Sequence, residues 1–339
     1  MNLYTSNLDL LEAAEIIRAA RRVTVITHAK PDGDAMGAVI AMSEALRGLD
    51  HEVTAWIVPP LADSLGSLRG AERVRPFEAA AAVEDTDLLI VLDTGASSQL
   101  GALGDQLGPH LDHTLVVDHH LSGDLGARWR YVDQQAAACC EILVGLLDAM
   151  DVGLNDLLIC EALFVGIAAD TGWFRFSNTR PQTHEAAARL LRAGVDHARL
   201  HAQLHQTERP QKLALMVRAL ASLKLLGGGD VALMQLQPQD FTQTGADLRD
   251  VEQFVDIPQM VASVQTVVLI SQPPAPKDAR QEEWVRVSLR SKPGPDAVNV
   301  AELARRLGGG GHARAAGVKM PGPIEKVVEQ VTKALGKRT

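Results

Sequence analysis

The sequence predicts an α/β protein in which a mostly parallel, doubly wound sheet domain precedes a smaller α/β domain, with a cleft between them. Three observations carry this. A chain of 339 residues exceeds what one hydrophobic core usually supports, short β-branched runs alternate with helical stretches, and the pattern breaks near Glu208-Arg-Pro210. Proline disfavours helical geometry in the residue before it, so a boundary is expected there. The expected organisation is a first domain over 1–186, a linker over 187–208 and a second domain over 209–339.

Residues 8–20 read as an amphipathic helix. Strands are expected over 23–28, 51–58, 88–93 and 114–118, with helices from the first loop to about Leu49, over 135–150 and over 156–169. Residues 187–206 read as helical without a strand. Beyond the boundary come a helix to about Leu226, a Gly227-Gly-Gly229 turn, strands near 231–236, 264–270 and 284–290, and helices near 298–307 and 323–335. In open parallel sheets ligands bind outside the carboxyl ends of the strands. Polar clusters fall at those ends: His28, Asp32 and Asp34 after the first strand, Asp93 after the third, and Asp118-His119-His120 after the fourth. The helix over 156–169 delivers Asp170 at its carboxyl end.

The charge distribution narrows the partners. The net charge of −9 argues against coating long nucleic acid, which needs many Lys and Arg contacts to phosphate. Residues 280–339 nevertheless hold 12 Lys and Arg against 6 Asp and Glu, so the surplus of basic charge sits in the second domain. An acidic half suited to divalent cations and a basic half suited to phosphate point to a small anionic substrate. Cys139, Cys140 and Cys160 are too few and wrongly spaced for a disulfide framework, and no apolar run approaches membrane length. A cytoplasmic protein without membrane association is expected.

Carboxylates suit hard divalent cations, whereas imidazole shifts preference toward transition metals, so a mixed Asp/His set favours Mn²⁺, with Mg²⁺ or another divalent ion possible. Six ligands, His28, Asp32, Asp34, Asp93, His119 and Asp170, are too many for one ion. Two ions about 3.5–4 Å apart, bridged by Asp93, form the usual arrangement for phosphoester hydrolysis by an activated water. Taken singly, an Asp at a strand end often caps the next helix, and Asp32-Gly33 is an ordinary turn signal. Several acidic and histidine clusters at successive element ends are harder to explain that way, because buried carboxylates repel without cations.

His28-Ala-Lys-Pro-Asp-Gly-Asp34-Ala-Met-Gly37, Asp93, Asp118-His-His120 and Asp170-Thr-Gly together resemble the DHH phosphoesterase superfamily. Gly308-Gly-Gly-Gly-Gly-His312-Ala-Arg-Ala-Ala-Gly317 is similar to the glycine-rich motif of the DHHA1 domain in its nanoRNase and pAp-phosphatase branch. The resemblance implies one Mn²⁺ at His28, Asp32 and Asp93, and a second at Asp34, Asp93, His119 and Asp170. It also implies that His120 contacts the scissile phosphate, while Asp118 orients the histidines. Glycine-rich loops let backbone N–H groups approach phosphate, and a following helix start adds a favourable dipole. Gly309, Gly310, Gly311, His312 and Arg314 are therefore expected to bind substrate. Arg290 is similar to an arginine that grips substrate in this branch, and Arg175 and Phe176 are candidates to touch phosphate and a base.

The implied enzyme hydrolyses short oligoribonucleotides to mononucleotides and acts on pAp, pApA or cyclic di-AMP, as a homodimer. A chain of 339 residues is expected to lack the extra domain with which RecJ-like exonucleases hold long strands, which favours short substrates. A family II-like inorganic pyrophosphatase and a non-catalytic nucleotide sensor are the alternatives; the glycine-rich motif argues against the first and the full ligand set against the second.

Overall fold

Strand β1 (Arg22–Thr27) is β-branched throughout its middle and is buried on both faces, as the centre of a parallel sheet requires. The computed structural model describes residues 4–78, 83, 86–251, 253–275, 283–294 and 297–336. Its contacts divide the chain into two units, Met1–Thr207 and Glu208–Thr339.

In the first unit β2 (Glu52–Ile57), β3 (Arg75–Pro76), β4 (Leu88–Leu92), β5 (Thr114–Asp118) and β6 (Trp129–Val132) join β1 in the order β3-β2-β1-β4-β5-β6, all parallel. Period-two alternation splits the sheet's side chains. Val23, Val25, Ile90 and Val117 pack with one core, and Ile26, Leu89, Val91 and Val116 with another. The first core is closed by helices α1 (Leu10–Ala19), α2 (Gly33–Gly48), α3 (Asp63–Gly66), α4 (Cys139–Ala149) and α5 (Leu157–Asp170). The second is closed mainly by 3₁₀ turns between Ser97 and His113, through Leu100, Leu103 and Leu107. The edge strands β3 and β6 escape the sequence reading: β3 is two residues long, and β6 is half buried without a clear alternation.

The stretch 187–208, expected as a linker, is built differently. Helices α6 (Pro181–Arg192) and α7 (His197–His205), with the turn between them, bury Ala186, Ala187, Leu190, Val195 and Leu200 in the first unit's core, and the division falls after Thr207. Their apolar stripes face the core, which sequence spacing alone does not reveal.

The second unit comprises α8 (Pro210–Ala221), β7 (Lys224–Leu226), β8 (Val231–Leu236), α9 (Pro238–Thr244), β9 (Thr266–Ser271), β10 (Trp284–Ser291), α10 (Val300–Arg306), β11 (Gly310–His312), β12 (Ala315–Pro321) and α11 (Ile324–Gly336). Its sheet runs β11-β12-β10-β9-β8-β7 and is mixed, with only β8 and β9 parallel. β10 alternates cleanly: Val285, Val287 and Leu289 enter the core with α10 and α11, and Arg286, Ser288 and Arg290 face the other way. Two expectations are corrected here. The helix expected to run to about Leu226 ends at Ala221 and gives way to β7, and the glycine-rich segment is followed by strand β12 rather than by a helix start. Among the described residues no helix is long and apolar enough to cross a membrane.

One helix crossing sets the geometry at the carboxyl edge of the first sheet. α2 and α5 approach so closely that a Cβ on Gly37 would sit 2.4 Å from the Ala162 carbonyl oxygen, and one on Gly166 2.6 Å from Asp34 Oδ1. That contact brings the start of α2, with Asp34, beside the end of α5, with Asp170. Gly37→Ala is expected to destabilise the protein by about 1–3 kcal/mol through overpacking, whereas Gly48→Ala, with nothing within 4 Å, gains up to about 1 kcal/mol of helix propensity. Thermal denaturation of the two variants checks this; equal effects would contradict it.

Candidate metal centre

The chain leaves β1 in one direction and β4 in the other, so the carboxyl ends of these neighbouring strands open a crevice at the switch point. His28 follows β1, Asp93 follows β4, and Asp118 ends β5. Asp93 adopts a left-handed backbone with φ 62°, a conformation unusual for a residue with a side chain. Asp32 caps α2, its Oδ1 accepting from the backbone N–H groups of Asp34 and Ala35 at 3.0 Å. Asp34, fully buried, accepts from the N–H groups of Cys139 and Cys140 at 2.5 and 2.9 Å. Both carboxylates thus do cap helices, Asp34 that of a different helix, and still face the cluster.

His28 Nε2 lies 3.5 Å from Asp93 Oδ2 and 3.9 Å from Asp32 Oδ1. His119 Nε2 lies 3.2 Å from Asp93 Oδ1, 3.3 Å from Asp170 Oδ2 and 3.9 Å from Asp34 Oδ2. All six sequence-predicted ligands are therefore brought together. Three overlapping groups have donor atoms close enough for an ion: His28, Asp32 and Asp93; Asp34, His119 and Asp170; and Asp93, His119 and His120. The ring tautomers suit ligation. Nδ1 of His28 faces the Ala29 carbonyl at 3.0 Å and Nδ1 of His119 the Ala136 carbonyl at 3.3 Å, which leaves each Nε2 turned toward the carboxylates.

Three atoms here are buried without a hydrogen-bond partner: Asp93 Oδ1, His119 Nε2 and Asp118 Oδ2. Orphaned buried polar atoms are costly, and in a cluster of oxygen and nitrogen donors a divalent cation relieves them. The electrostatics agree. Burial raises the Asp34 pKa well above the carboxylate range, and neighbouring Asp93 and Asp170 raise it further. Burial opposes protonation of the histidines, but Asp93 outweighs it at His28, lifting the pKa to about 9, and Asp170 and Asp93 do so at His119, lifting it to about 11. Asp118 Oδ1 accepts from His120 Nδ1 at 2.8 Å and from the His119 and His120 backbone at 2.8 and 3.2 Å, which fixes the half-exposed His120 ring.

The second unit holds a cavity of about 440 Å³. Arg290, Gly310 and Gly311, which the sequence singles out as substrate-binding candidates, line it together with Arg286, Ser288, Gln253 and Asp256, which sequence reasoning does not single out. A signal for two of them exists: Arg286 and Ser288 precede Arg290 at strand spacing, hence on one face. Gly309, His312 and Arg314 are not among the lining residues. Gly309 passes so close to β12 that a Cβ would lie 2.3 Å from the Gly317 carbonyl oxygen; His312 is exposed, and Arg314 Nη1 donates to the Val298 carbonyl at 3.4 Å. Arg175 is exposed with its Nε donating to the Gly172 carbonyl, and Phe176 is 55% exposed and covers Gly172.

Asp and His side chains clustered at a parallel sheet's switch point suit the chemistry of a metal-dependent phosphoesterase. Residues 22–167 match the N-terminal domain of the DHH family and residues 228–338 match the DHHA1 domain. The bifunctional oligoribonuclease and PAP phosphatase NrnA of Thermus thermophilus is 31% identical over 325 residues, covering 95% of this chain and 92% of that protein. An exopolyphosphatase-related protein from Bacteroides fragilis shares the fold with a TM-score of 0.78 at 22% identity, over 97% of this chain and 95% of that one. Exonuclease RecJ bound to manganese does so with a TM-score of 0.56 at 18% identity, over 100% and 96%. The chain belongs to the DHH family of metal-dependent phosphoesterases, with a DHHA1 domain.

Because ligand nitrogens must shed their protons to bind metal, and His28 and His119 hold theirs up to about pH 9 and 11 in the metal-free protein, proton and cation compete. Apparent metal affinity is expected to fall as pH is lowered from 9 and proton release to accompany binding at neutral pH. Titration calorimetry in buffers of different ionisation enthalpy measures this; buffer-independent heats would contradict it.

Proposed function

We propose that the chain hydrolyses short oligoribonucleotides to mononucleotides, and pAp with related small nucleotides such as pApA or cyclic di-AMP, using two Mn²⁺ ions. The single observation that carries this reading is Asp93, which stands between His28 on one side and His119 on the other. On this reading His28, Asp32 and Asp93 hold one ion, and Asp34, Asp93, His119 and Asp170 the other. Bound there, the ions supply Lewis acidity toward phosphate and a nucleophilic water at neutral pH. His120, held by Asp118 and with its pKa raised chiefly by that hydrogen bond, turns its ring to the phosphate. Asp118 is then a positioning residue.

The first unit supplies the metal ligands and the second binds substrate through Arg290, Arg286 and the backbone of Gly310 and Gly311. Two arginines and glycine backbone in one cavity suit phosphate. His312 and Arg314 belong to this reading as groups beside the cavity, and Gly309 as the spacer that permits the hairpin. The name of the Thermus relative supports the choice of short RNA and pAp. Three buried unpaired cysteines support a reducing, cytoplasmic location. A homodimer, the commonest oligomer, completes the reading, and sedimentation would test it.

Product formation from pApA, pAp, cyclic di-AMP and pyrophosphate with Mn²⁺ tests the substrate class; turnover of pyrophosphate alone would overturn it. Asp93→Asn is expected to cost more than the roughly 10–100-fold typical of losing an outer metal partner, with folding retained. Near-normal rates in steady-state assays would remove Asp93 from the bridge. Arg286→Ala and Arg290→Ala are each expected to raise KM roughly tenfold or more, as loss of a charge-assisted hydrogen bond implies, with metal content kept. Metal loss measured by elemental analysis would show that the units' roles are wrongly drawn.

A further inference from the structure

The first unit contains a second cavity, of about 260 Å³, that the proposed metal chemistry leaves unused. Gly33, between Asp32 and Asp34, forms part of its lining, and so does Gly172, two residues beyond Asp170. It therefore abuts the two segments that carry three of the metal-ligand candidates. Leu65, Leu204 and Trp173 give it apolar walls, and Ser64, Arg175 and His205 supply its polar groups. Its volume is below the roughly 300–1,000 Å³ of pockets that enclose drug-sized ligands, so it suits one ring system rather than a whole dinucleotide.

Trp173 is held in place. Its indole N–H donates to His205 Nε2 at 2.7 Å, and its ring meets His201 edge-on at 4.7 Å and Phe164 at 6.2 Å between centroids. The backbone that presents it is unusual: Gly172, Trp173 and Phe174 have φ of 54°, 57° and 63°, three successive left-handed residues, two of them bulky. Thr171 pins the turn, its Oγ1 accepting from the Phe174 N–H at 3.0 Å and its carbonyl from the Arg175 N–H at 2.9 Å. Such conformations persist only where the surroundings impose them, and they cluster at ligand sites. Arg175, tied to the Gly172 carbonyl, leaves a cation at a mainly apolar pocket.

We infer that this pocket receives the base of a substrate nucleotide, stacked on Trp173, with Arg175 facing the adjoining phosphate. The inference rests on the nucleotide reading of the metal centre. An aromatic wall takes any base face, and the neighbouring guanidinium favours a base joined to an anion over a neutral apolar ligand.

The test compares pApA with its sugar-phosphate analogue lacking the bases. The wild type is expected to prefer pApA in kcat/KM roughly tenfold or more, the usual worth of a stacked base, and Trp173→Ala to bring that ratio near one through KM. Ser64→Trp, which fills the cavity from its other wall, is expected to do the same and serves if Trp173→Ala does not fold. An unchanged ratio in folded variants overturns the inference. Binding is read separately from turnover by titrating AMP into the metal-free protein: quenching of tryptophan emission that disappears in Trp173→Phe supports the pocket, and its absence in the wild type overturns it. If that quenching occurs while the Mn²⁺-loaded wild type cleaves no nucleotide, the pocket stands and the phosphoesterase substrate reading falls.

Discussion

Four carboxylates, those of Asp32, Asp34, Asp93 and Asp170, converge on one edge of a parallel sheet, and their mutual repulsion sets what the rest of the first unit must provide. Two helix N-termini answer part of it, the start of α2 at Asp32 and the start of α4 at Asp34. Two imidazoles answer another part, with nitrogens 3.2–3.9 Å from the carboxylates. Buried atoms on Asp93 and His119 still lack hydrogen-bond partners, which is the condition a bound cation relieves. The same feature that would destabilise an ordinary core therefore prepares a site for divalent metal.

The sheet order explains why the groups meet. β1 and β4 are neighbours although two strands separate them in the chain, so loops distant in sequence share one crevice. The close crossing of α2 and α5 adds the remaining pair, because glycine at 37 and 166 lets Asp34 and Asp170 approach from different helices. On the proposed reading, the second unit applies the same logic to phosphate. Strand alternation places Arg286, Ser288 and Arg290 on one face, and a glycine hairpin lines the cavity without side chains.

Much of this is legible in the sequence, and the exceptions have physical causes. The runs at 23–28, 88–93 and 114–118 announce buried strands, and the Asp and His residues that end them announce the cluster. β6 gives no such signal because Trp-Arg-Tyr-Val lies half buried at an edge, where polar and apolar residues mix. Gly310–His312 reads as a loop because glycine lacks strand propensity; only its pairing with β12 makes it a strand. The stretch 187–206 is legible as helical, but the burial of α6 and α7 in the first unit's core depends on tertiary packing that local pattern does not encode. The left-handed turn at 172–174 has no signal beyond its single glycine.

The central claim is that the cluster holds two cations with Asp93 between them. Anomalous diffraction at the manganese edge from crystals grown with Mn²⁺ tests this most directly. Two peaks are predicted, one beside His28 and Asp32 and the other beside Asp34 and Asp170, with an Asp93 oxygen touching each. A single peak, or peaks away from Asp93, would contradict it.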